Sequence, residues 1–525
     1  MKSGFPDFYK RLVKFLYKEN CKVKNVINIV NFIRGWDQRV SFDLKESVAE
    51  QARLAEEYNL PVTFLYQYDA MVQPEYINIL KDCKAKTELG VWIECSKVLI
   101  EAVGLKWRGR EGLVWDWHSC VDMTVGYTTD ERRLIIDEIM RCFKELFGYY
   151  PKTVGSWALD AYSIKYMEEK YNIDAAMICK DQWGTDGYSL WGGYNSSAYY
   201  PCVNNIFCPA QDKDQQINVP VFRMLGSDPV DQYMSGIGSE RQDVESMEPV
   251  YAASGADRNW VEWYLKETFN DRSLGLNYCQ AGQENSFGWD AMKNGYIMQM
   301  QLFDQKRNLG EIDFELVSET ARKYKETYSM TPVRTEEAHK ENSSTIWYNS
   351  KYYRSNLYYR DNQIMLRDIF VFNEKYKERY FDTVTVDGNL YFDNLPLIDC
   401  FRWSKDGKIG GGYFKKDGRA VTAVKDFTVH KINDSTVYAD IETEDGVIRL
   451  TFREKSIVFD FPSDGYTFKT VIYKGKNPVI GFEKGRILCR YCDFDFAAVL
   501  SDAVCEIHED GYVIIPDNKS FEIKF

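Results

Sequence analysis

The feature that most constrains this chain is a short apolar run with an abrupt polar exit. Val26, Ile27, Ile29, Val30, Phe32 and Ile33 form a nearly continuous β-branched and aromatic stretch within Asn25 to Arg39. Such a run suits a strand buried on both faces, the kind found in parallel sheets. It ends in Arg34-Gly35-Trp36-Asp37-Gln38-Arg39. The carboxyl end of a buried parallel strand is where α/β folds place ligand chemistry.

The order that follows predicts a parallel sheet. Asp43 caps a helix through about Tyr58, and Val62 to Tyr68 is a second strand. A helix near Glu75–Ala85 leads to a third strand, Glu88 to Glu94. This βαβαβ order demands right-handed crossovers. A loop rich in charge and tryptophan comes next, then a helix with Thr128 and Glu131 as its capping box. Strands are expected over Thr153–Leu159, Asp174–Cys179, Val219–Leu225 and Leu274–Gln280. Helices are expected over Asp160–Tyr171, Asn259–Phe269 and about Asp290 to Leu309, the last element of the set. Residues 181–217 read as a long irregular loop over the site, and residues 1–24 as an amphipathic lead-in.

After about residue 330 the pattern becomes short alternating strands between Asp-Gly turns, such as Asp387-Gly388, Asp417-Gly418 and Asp445-Gly446. That is the pattern of a β-sandwich. The expected organisation is therefore an α/β barrel, (β/α)7–8, over residues 1–330, a linker over 331–342, and an all-β sandwich over 343–525.

The formal charge of −13 and the lack of basic runs argue against nucleic acid or an anionic membrane as a partner. No apolar run reaches membrane-spanning length. Thirteen scattered cysteines, with Cys489 and Cys492 as the sole CxxC, give neither a zinc pattern nor a disulfide framework. The N-terminal stretch has no apolar signal core, so a cytoplasmic location is expected, with a secreted form trimmed of its signal left open. Gly-rich segments lack the strand-to-helix context of a nucleotide fingerprint, and no cofactor is expected. The aromatic load is heavy, with Tyr 37, Phe 30 and Trp 13, and eleven of the tryptophans precede residue 330. Flat rings stack on sugar faces, which places a carbohydrate substrate on the first domain, although aromatic rings also fill cores. The β-domain leaves a homodimer open.

Four segments carry a resemblance. They are Arg34-Gly35-Trp36-Asp37, Leu60-Pro61-Val62-Thr63-Phe64-Leu65, Glu88-Leu89-Gly90-Val91-Trp92, and the block from Gly148-Tyr149-Tyr150-Pro151 through Val154-Gly155-Ser156-Trp157-Ala158 to Ile173-Asp174-Ala175-Ala176. Together, over residues 25–180, they resemble the polysaccharide deacetylase superfamily barrel. That resemblance implies a metal held by one Asp and two His, the histidines from an H-x-x-x-H motif after the third strand. This chain has Ile93-Glu94-Cys95 there, and His118 is the single histidine before residue 330. A stable site of this kind usually needs three protein ligands, so no metal site is expected. The layout is similar to that of inverting exosialidases, which join a deacetylase-like barrel to a C-terminal β-domain and use an Asp near the first strand and a His from a later loop.

The leading expectation is thus a metal-independent, exo-acting, inverting glycoside hydrolase for an acidic sugar. Its candidate catalytic groups are Asp37, His118, Glu94 and Glu284, because glycoside hydrolysis needs an acid and a base or nucleophile. Candidate substrate contacts are Arg34, Trp36, Asp69, Trp92, Arg110, Asp116, Trp117, Asp160, Arg223 and Asn285. The guanidiniums among them suit a carboxylated sugar. Each carboxylate also has a structural alternative as an ion pair or helix cap, and Asp160 in particular can cap the helix after it. The rival functions are a metal-dependent carbohydrate deacetylase and a non-catalytic glycan-binding protein.

Overall fold

The computed structural model describes residues 25–185 and 187–525. The lead-in expected over residues 1–24 lies outside the described residues. The first sheet has nine strands, and its main parallel path runs through β1 (Asn25–Ile33), β2 (Val62–Tyr66), β3 (Thr87–Trp92), β4 (Thr153–Gly155), β5 (Ala175–Cys179), β6 (Val221–Met224) and β7 (Asn277–Ala281), with short Ala198–Tyr199 antiparallel to β6 and Asp313–Phe314 parallel to β1. Their order is β7-β1-β2-β3-β4-β5-β6. β1 pairs in parallel with β2 through Val30↔Thr63 and with β7 through Val26↔Tyr278. The central strands are buried along nearly their whole length, as a continuous apolar run requires.

The sheet curls, but no ladder joins β6 to β7. Side chains bridge them instead. The Leu225 backbone N–H donates to Gln280 Oε1 at 2.9 Å, and the Phe222 and Tyr278 rings lie 5.0 Å apart. The structure therefore shows a curled parallel sheet in which, among the described residues, β6 and β7 are not joined by a hydrogen-bonded ladder, rather than a fully closed barrel.

Helices cover the outer face. α1 (Leu44–Glu57) starts at Asp43, whose carboxylate accepts from the Lys45 backbone N–H. α2 (Thr129–Phe147) has its full Thr128/Glu131 capping box and ends at Gly148, which adopts φ +82° as a helix stop does. α3 (Ala161–Tyr171) is capped by Asp160. α4 (Trp289–Asn308) and α5 (Val317–Thr327) follow β7. α5 follows the last helix expected, which ended at Leu309; its start has no Ser, Thr, Asp or Asn cap, since Leu316 stands there.

Two further expectations change. Residues 181–217 are not irregular: strands run over Gln182–Thr185, Tyr188–Trp191 and Asn205–Pro209. Tyr188–Trp191 pairs in parallel with Leu390–Asp393, more than two hundred residues later. A partner so distant leaves no local mark. The stretch taken as a linker contains the strand Arg334–His339, buried and paired with Ser343–Asn349. Its Arg, Glu and His content reads as a solvated connector, yet the structure buries it.

The C-terminal half is all β, with a larger sheet beginning at Arg334–His339 and an eight-stranded antiparallel sheet. Both contribute to one apolar core that includes Ile346, Leu366, Phe414, Ile448, Phe459 and Ile523. Among the described residues no helix is long and apolar enough to cross a membrane.

Candidate active site

A cavity of about 660 Å³ opens at the carboxyl ends of the parallel strands. Its wall includes Arg34 and Arg39 after β1, Trp115, Trp117, His118 and Asp122 after β3, Trp157 after β4, and Glu284 and Ser286 after β7. Tyr188, Arg241 and the Gly388-Asn389 pair close another side. The C-terminal half thus reaches the cavity through the segment leading into Leu390–Asp393.

Arg34 is the centre of its charge network. The guanidinium is buried, with Nη1 3.1 Å from Asp37 Oδ2 and Nη2 3.1 Å from Glu94 Oε2. Nη2 also lies 3.6 Å from Glu284 Oε2. Trp115 covers its face at 3.9 Å. The backbone is clamped by Asn285, whose Oδ1 accepts from the Arg34 N–H and whose amide donates to the Arg34 carbonyl.

The expected catalytic carboxylates divide into two kinds. Asp37 is not part of the cavity wall. Arg39 donates to it from its backbone and side chain, and Arg34 adds a further bond. Burial opposes ionisation of Asp37, but these hydrogen bonds and charges outweigh it and hold the pKa below the usual value. Glu94 also sits behind the wall, accepting from Gln67, Trp92 Nε1 and Arg34. Both orient Arg34. Glu284 does face the cavity; burial raises its pKa against the pull of Arg34 and a 2.6 Å bond from Ser286 Oγ.

Asp122 was missed by the sequence reading. It lies in the cavity wall at the end of a short helical turn, Ser119–Asp122, that begins at His118. Its Oδ1 has no hydrogen-bond partner among the described residues. Burial, reinforced by the negative charge of Glu94, pushes its pKa well above the ordinary carboxylate value, against the effect of Arg34. The one available signal was its four-residue spacing from His118, which puts both on one side of a helical turn.

His118 lines the cavity, with Nδ1 3.6 Å from Asp116 Oδ1. Asp116 is occupied by Arg110, which donates from its backbone, Nε and Nη2. Arg110 in turn stacks over Trp117 at 4.1 Å. Gly388 packs against the imidazole so closely that a Cβ there would come within 2.9 Å of His118 Cδ2.

The remaining expected contacts serve the frame. Asp69 accepts the backbone N–H groups of Gly35 and Trp36 at 3.1 and 3.0 Å. Burial raises its pKa to about 6 despite those bonds. Trp92 packs under the wall between Phe32 and Trp157, while Trp36 is exposed outside it. Asp160 pairs with Arg132 and caps α3, the structural alternative noted above. Arg223 corrects the sequence reading: it does not line the cavity, but is buried against Asp181 at 2.7 Å and the carbonyls of Cys179 and Tyr194. The Asp181 carboxylate and those two carbonyls hold the guanidinium away from the cavity.

The donors a deacetylase metal needs do not fit this site. Asp37 is taken by two guanidiniums, and His118 is the sole histidine of the wall. Among the described residues one group of three ligand side chains lies close enough together, Asp228, Asp231 and Glu245, and Lys340 already bridges the two aspartates there.

A family model described as a domain of unknown function with a solved structure, DUF3863, matches residues 123–338. No curated protein matches the sequence. A crystal structure from Parabacteroides distasonis, described as a "putative glycoside hydrolase/deacetylase", aligns over 72% of this chain and 92% of its own, with 15% identity and a TM-score of 0.54. A Pseudomonas aeruginosa PAO1 structure, described as a "probable Polysaccharide deacetylase", covers 59% of this chain and 93% of its own at 13% identity; its TM-score of 0.34 carries no argument. Identity this low speaks for fold alone. The strand order, the site at the strand ends and the first of these likenesses agree: the chain has a polysaccharide deacetylase/glycoside hydrolase-like fold.

Proposed function

We propose that this protein is a glycoside hydrolase that removes a terminal acidic sugar, with Asp122 as general acid and Glu284 as general base. The observation that carries the reading is the contrast between these two cavity carboxylates. Asp122 is buried with an unpartnered oxygen and a strongly raised pKa, whereas Glu284 sits beside the Arg34 charge and Ser286. Burial raises both pKa values, Asp122's strongly, while the adjacent Arg34 charge and the Ser286 hydroxyl oppose the rise at Glu284, so the proton is favoured on Asp122 and the charge on Glu284. In the proposed step Asp122 gives its proton to the glycosidic oxygen as the bond to the anomeric carbon breaks. Glu284 takes a proton from the water that attacks that carbon, and inversion follows. His118 contacts the substrate from the turn that also carries Asp122.

Trp117 and Trp157 line the cavity as aromatic surface for a sugar ring, and Arg39 and Arg241 offer guanidiniums for a carboxylate. The cavity volume is in the range that encloses a small ligand, which suits a terminal residue. The test is a panel of aryl glycosides of uronic, sialic and neutral sugars together with N- and O-acetylated glycans. Phenol release from an acidic glycoside is the expected result. Acetate release with the glycosidic bond intact would make the protein a deacetylase, and saturable binding without turnover would make it a glycan-binding protein.

A further inference from the structure

A strap of the C-terminal half, residues 385–389, reaches the cavity and runs along the segment that carries Asp122. The Ser119 backbone N–H donates to the Gly388 carbonyl at 3.1 Å, and the Thr385 N–H donates to the Val125 carbonyl at 2.9 Å. In sequence Asp122 falls between those two contacts. Leu390, the residue after the strap, is buried and donates its N–H to the Gly187 carbonyl at 3.0 Å. Asn389 therefore has an anchored residue on each side. It is exposed in the cavity wall, and among the described residues no hydrogen bond or ion pair engages its side chain. Gly187 faces it: a Cβ added there would lie 3.7 Å from Asn389 Oδ1, so the glycine puts no side chain in front of the carboxamide. A held backbone with an uncommitted polar group at a cavity is the arrangement a ligand contact requires.

A general acid has to touch the oxygen that departs, so the leaving group lies on the Asp122 side of the cavity. We propose that the strap forms the subsite for that group, that the group is a second sugar, and that Asn389 is the residue that selects it. A carboxamide donates and accepts hydrogen bonds, which matches the hydroxyl groups of a sugar. An alkyl or lipid leaving group has nothing to pair with it. The C-terminal half is then part of the substrate site. That the second sugar departs rests on the proposed hydrolase reading; that Asn389 contacts it does not.

The test compares substrates with the same terminal sugar and different groups after it. Sialyllactose is paired with methyl sialoside, and a glucuronyl disaccharide with methyl glucuronide. The pair that the wild type cleaves is used. The ratio of kcat/KM for the oligosaccharide to that for the methyl glycoside should fall about 10-fold in Asn389→Ala, as expected for one or two neutral hydrogen bonds. Asn389→Gln, which keeps the carboxamide on a longer stem, should lose less. Circular dichroism and Tm check that each variant is folded, and Asn389→Ser replaces an Asn389→Ala that is not. An unchanged ratio overturns the proposal, whether both rates stand or both fall together. A wild type that cleaves neither pair ends the hydrolase reading alone, and calorimetry with the same four compounds then decides on the subsite. Tighter binding of an oligosaccharide than of its methyl glycoside, lost in Asn389→Ala, supports it. A preference absent from the wild type or intact in the variant overturns it.

Discussion

Asp122 and Asp69 are both buried carboxyl groups, but their surroundings give them different work. Asp69 spends its oxygens on the Gly35 and Trp36 amides, while Asp122 keeps one buried oxygen unpaired in the cavity wall. As a general acid Asp122 must be protonated, so activity should fall as pH rises through its elevated pKa. Asp122→Asn should lower kcat by about 10²–10⁴-fold on alkyl glycosides and remove the alkaline limb of the profile. The loss should be smaller with a nitrophenyl leaving group, which departs without a proton; equal losses on both substrates would exclude the acid role. For Asp69 the consequence is stability. Its pKa stands near 6 against an ordinary 3.8, so between these values the folded chain holds a proton that the unfolded chain has released. That group's contribution to stability therefore declines as pH rises through this window, by about 3 kcal/mol in total. Urea denaturation of Asp69→Asn from pH 4 to pH 6.5 should show a flatter dependence than wild type, and parallel curves would contradict the assignment.

At the scale of elements, the site depends on how strands leave the sheet. β7 exits through Gly282, which adopts φ +106° with its Cα facing the Val30 carbonyl of β1; a Cβ would lie 2.2 Å from that oxygen. Only glycine combines that conformation with so close a backbone approach. The turn delivers Gln283, Glu284 and Asn285 in succession, and Asn285 then locks the exit of β1. Gly282→Ala should cost about 2–4 kcal/mol of stability through strain and clash. In whatever fraction remains folded, kcat should fall, because Glu284 and the Arg34 clamp move together. Unfolding midpoints and specific activity per folded protein check both parts. β1 shows the same logic from its other neighbour: Gly35 lies so close to Asp69 and Ala70 that a Cβ would meet their backbone at 2.6 Å.

Across the whole molecule, the two halves are stitched by buried charge as well as by apolar contact. Arg354 of the C-terminal half pairs with Asp368 at 2.7 Å and with Asp181, which also binds Arg223. Glu378 accepts the Ala161 and Ile206 backbone N–H groups, and Leu390 and Phe392 belong to the apolar core of the first half. Arg354→Met should cost about 3–5 kcal/mol, because it leaves the carboxylates of Asp181 and Asp368 buried without that partner. For the same reason a chain truncated after residue 330 should fail to fold, having lost the Glu378 contacts and the strand that pairs with Tyr188–Trp191. Circular dichroism and gel filtration of the truncated protein would show it; a soluble, cooperatively unfolding product would refute it.

The sequence by itself determined the alternation of buried strands and capped helices, because periodicity, Asp43, Thr128 with Glu131, and Asp160 act over a few residues. It also located the polar exits of β1 and β7, where Arg34 and Glu284 stand. Only the tertiary structure decided which of those polar groups face the cavity. Asp37 and Glu94 turn to Arg34, Arg223 turns to Asp181, and Asp122 is left in the cavity wall with one buried oxygen unpaired. Those outcomes depend on burial and on partners tens to hundreds of residues away, as does the pairing of Tyr188–Trp191 with Leu390–Asp393. A carboxylate's pKa and its freedom to react are properties of what surrounds it in space, and neighbours in the chain do not specify that.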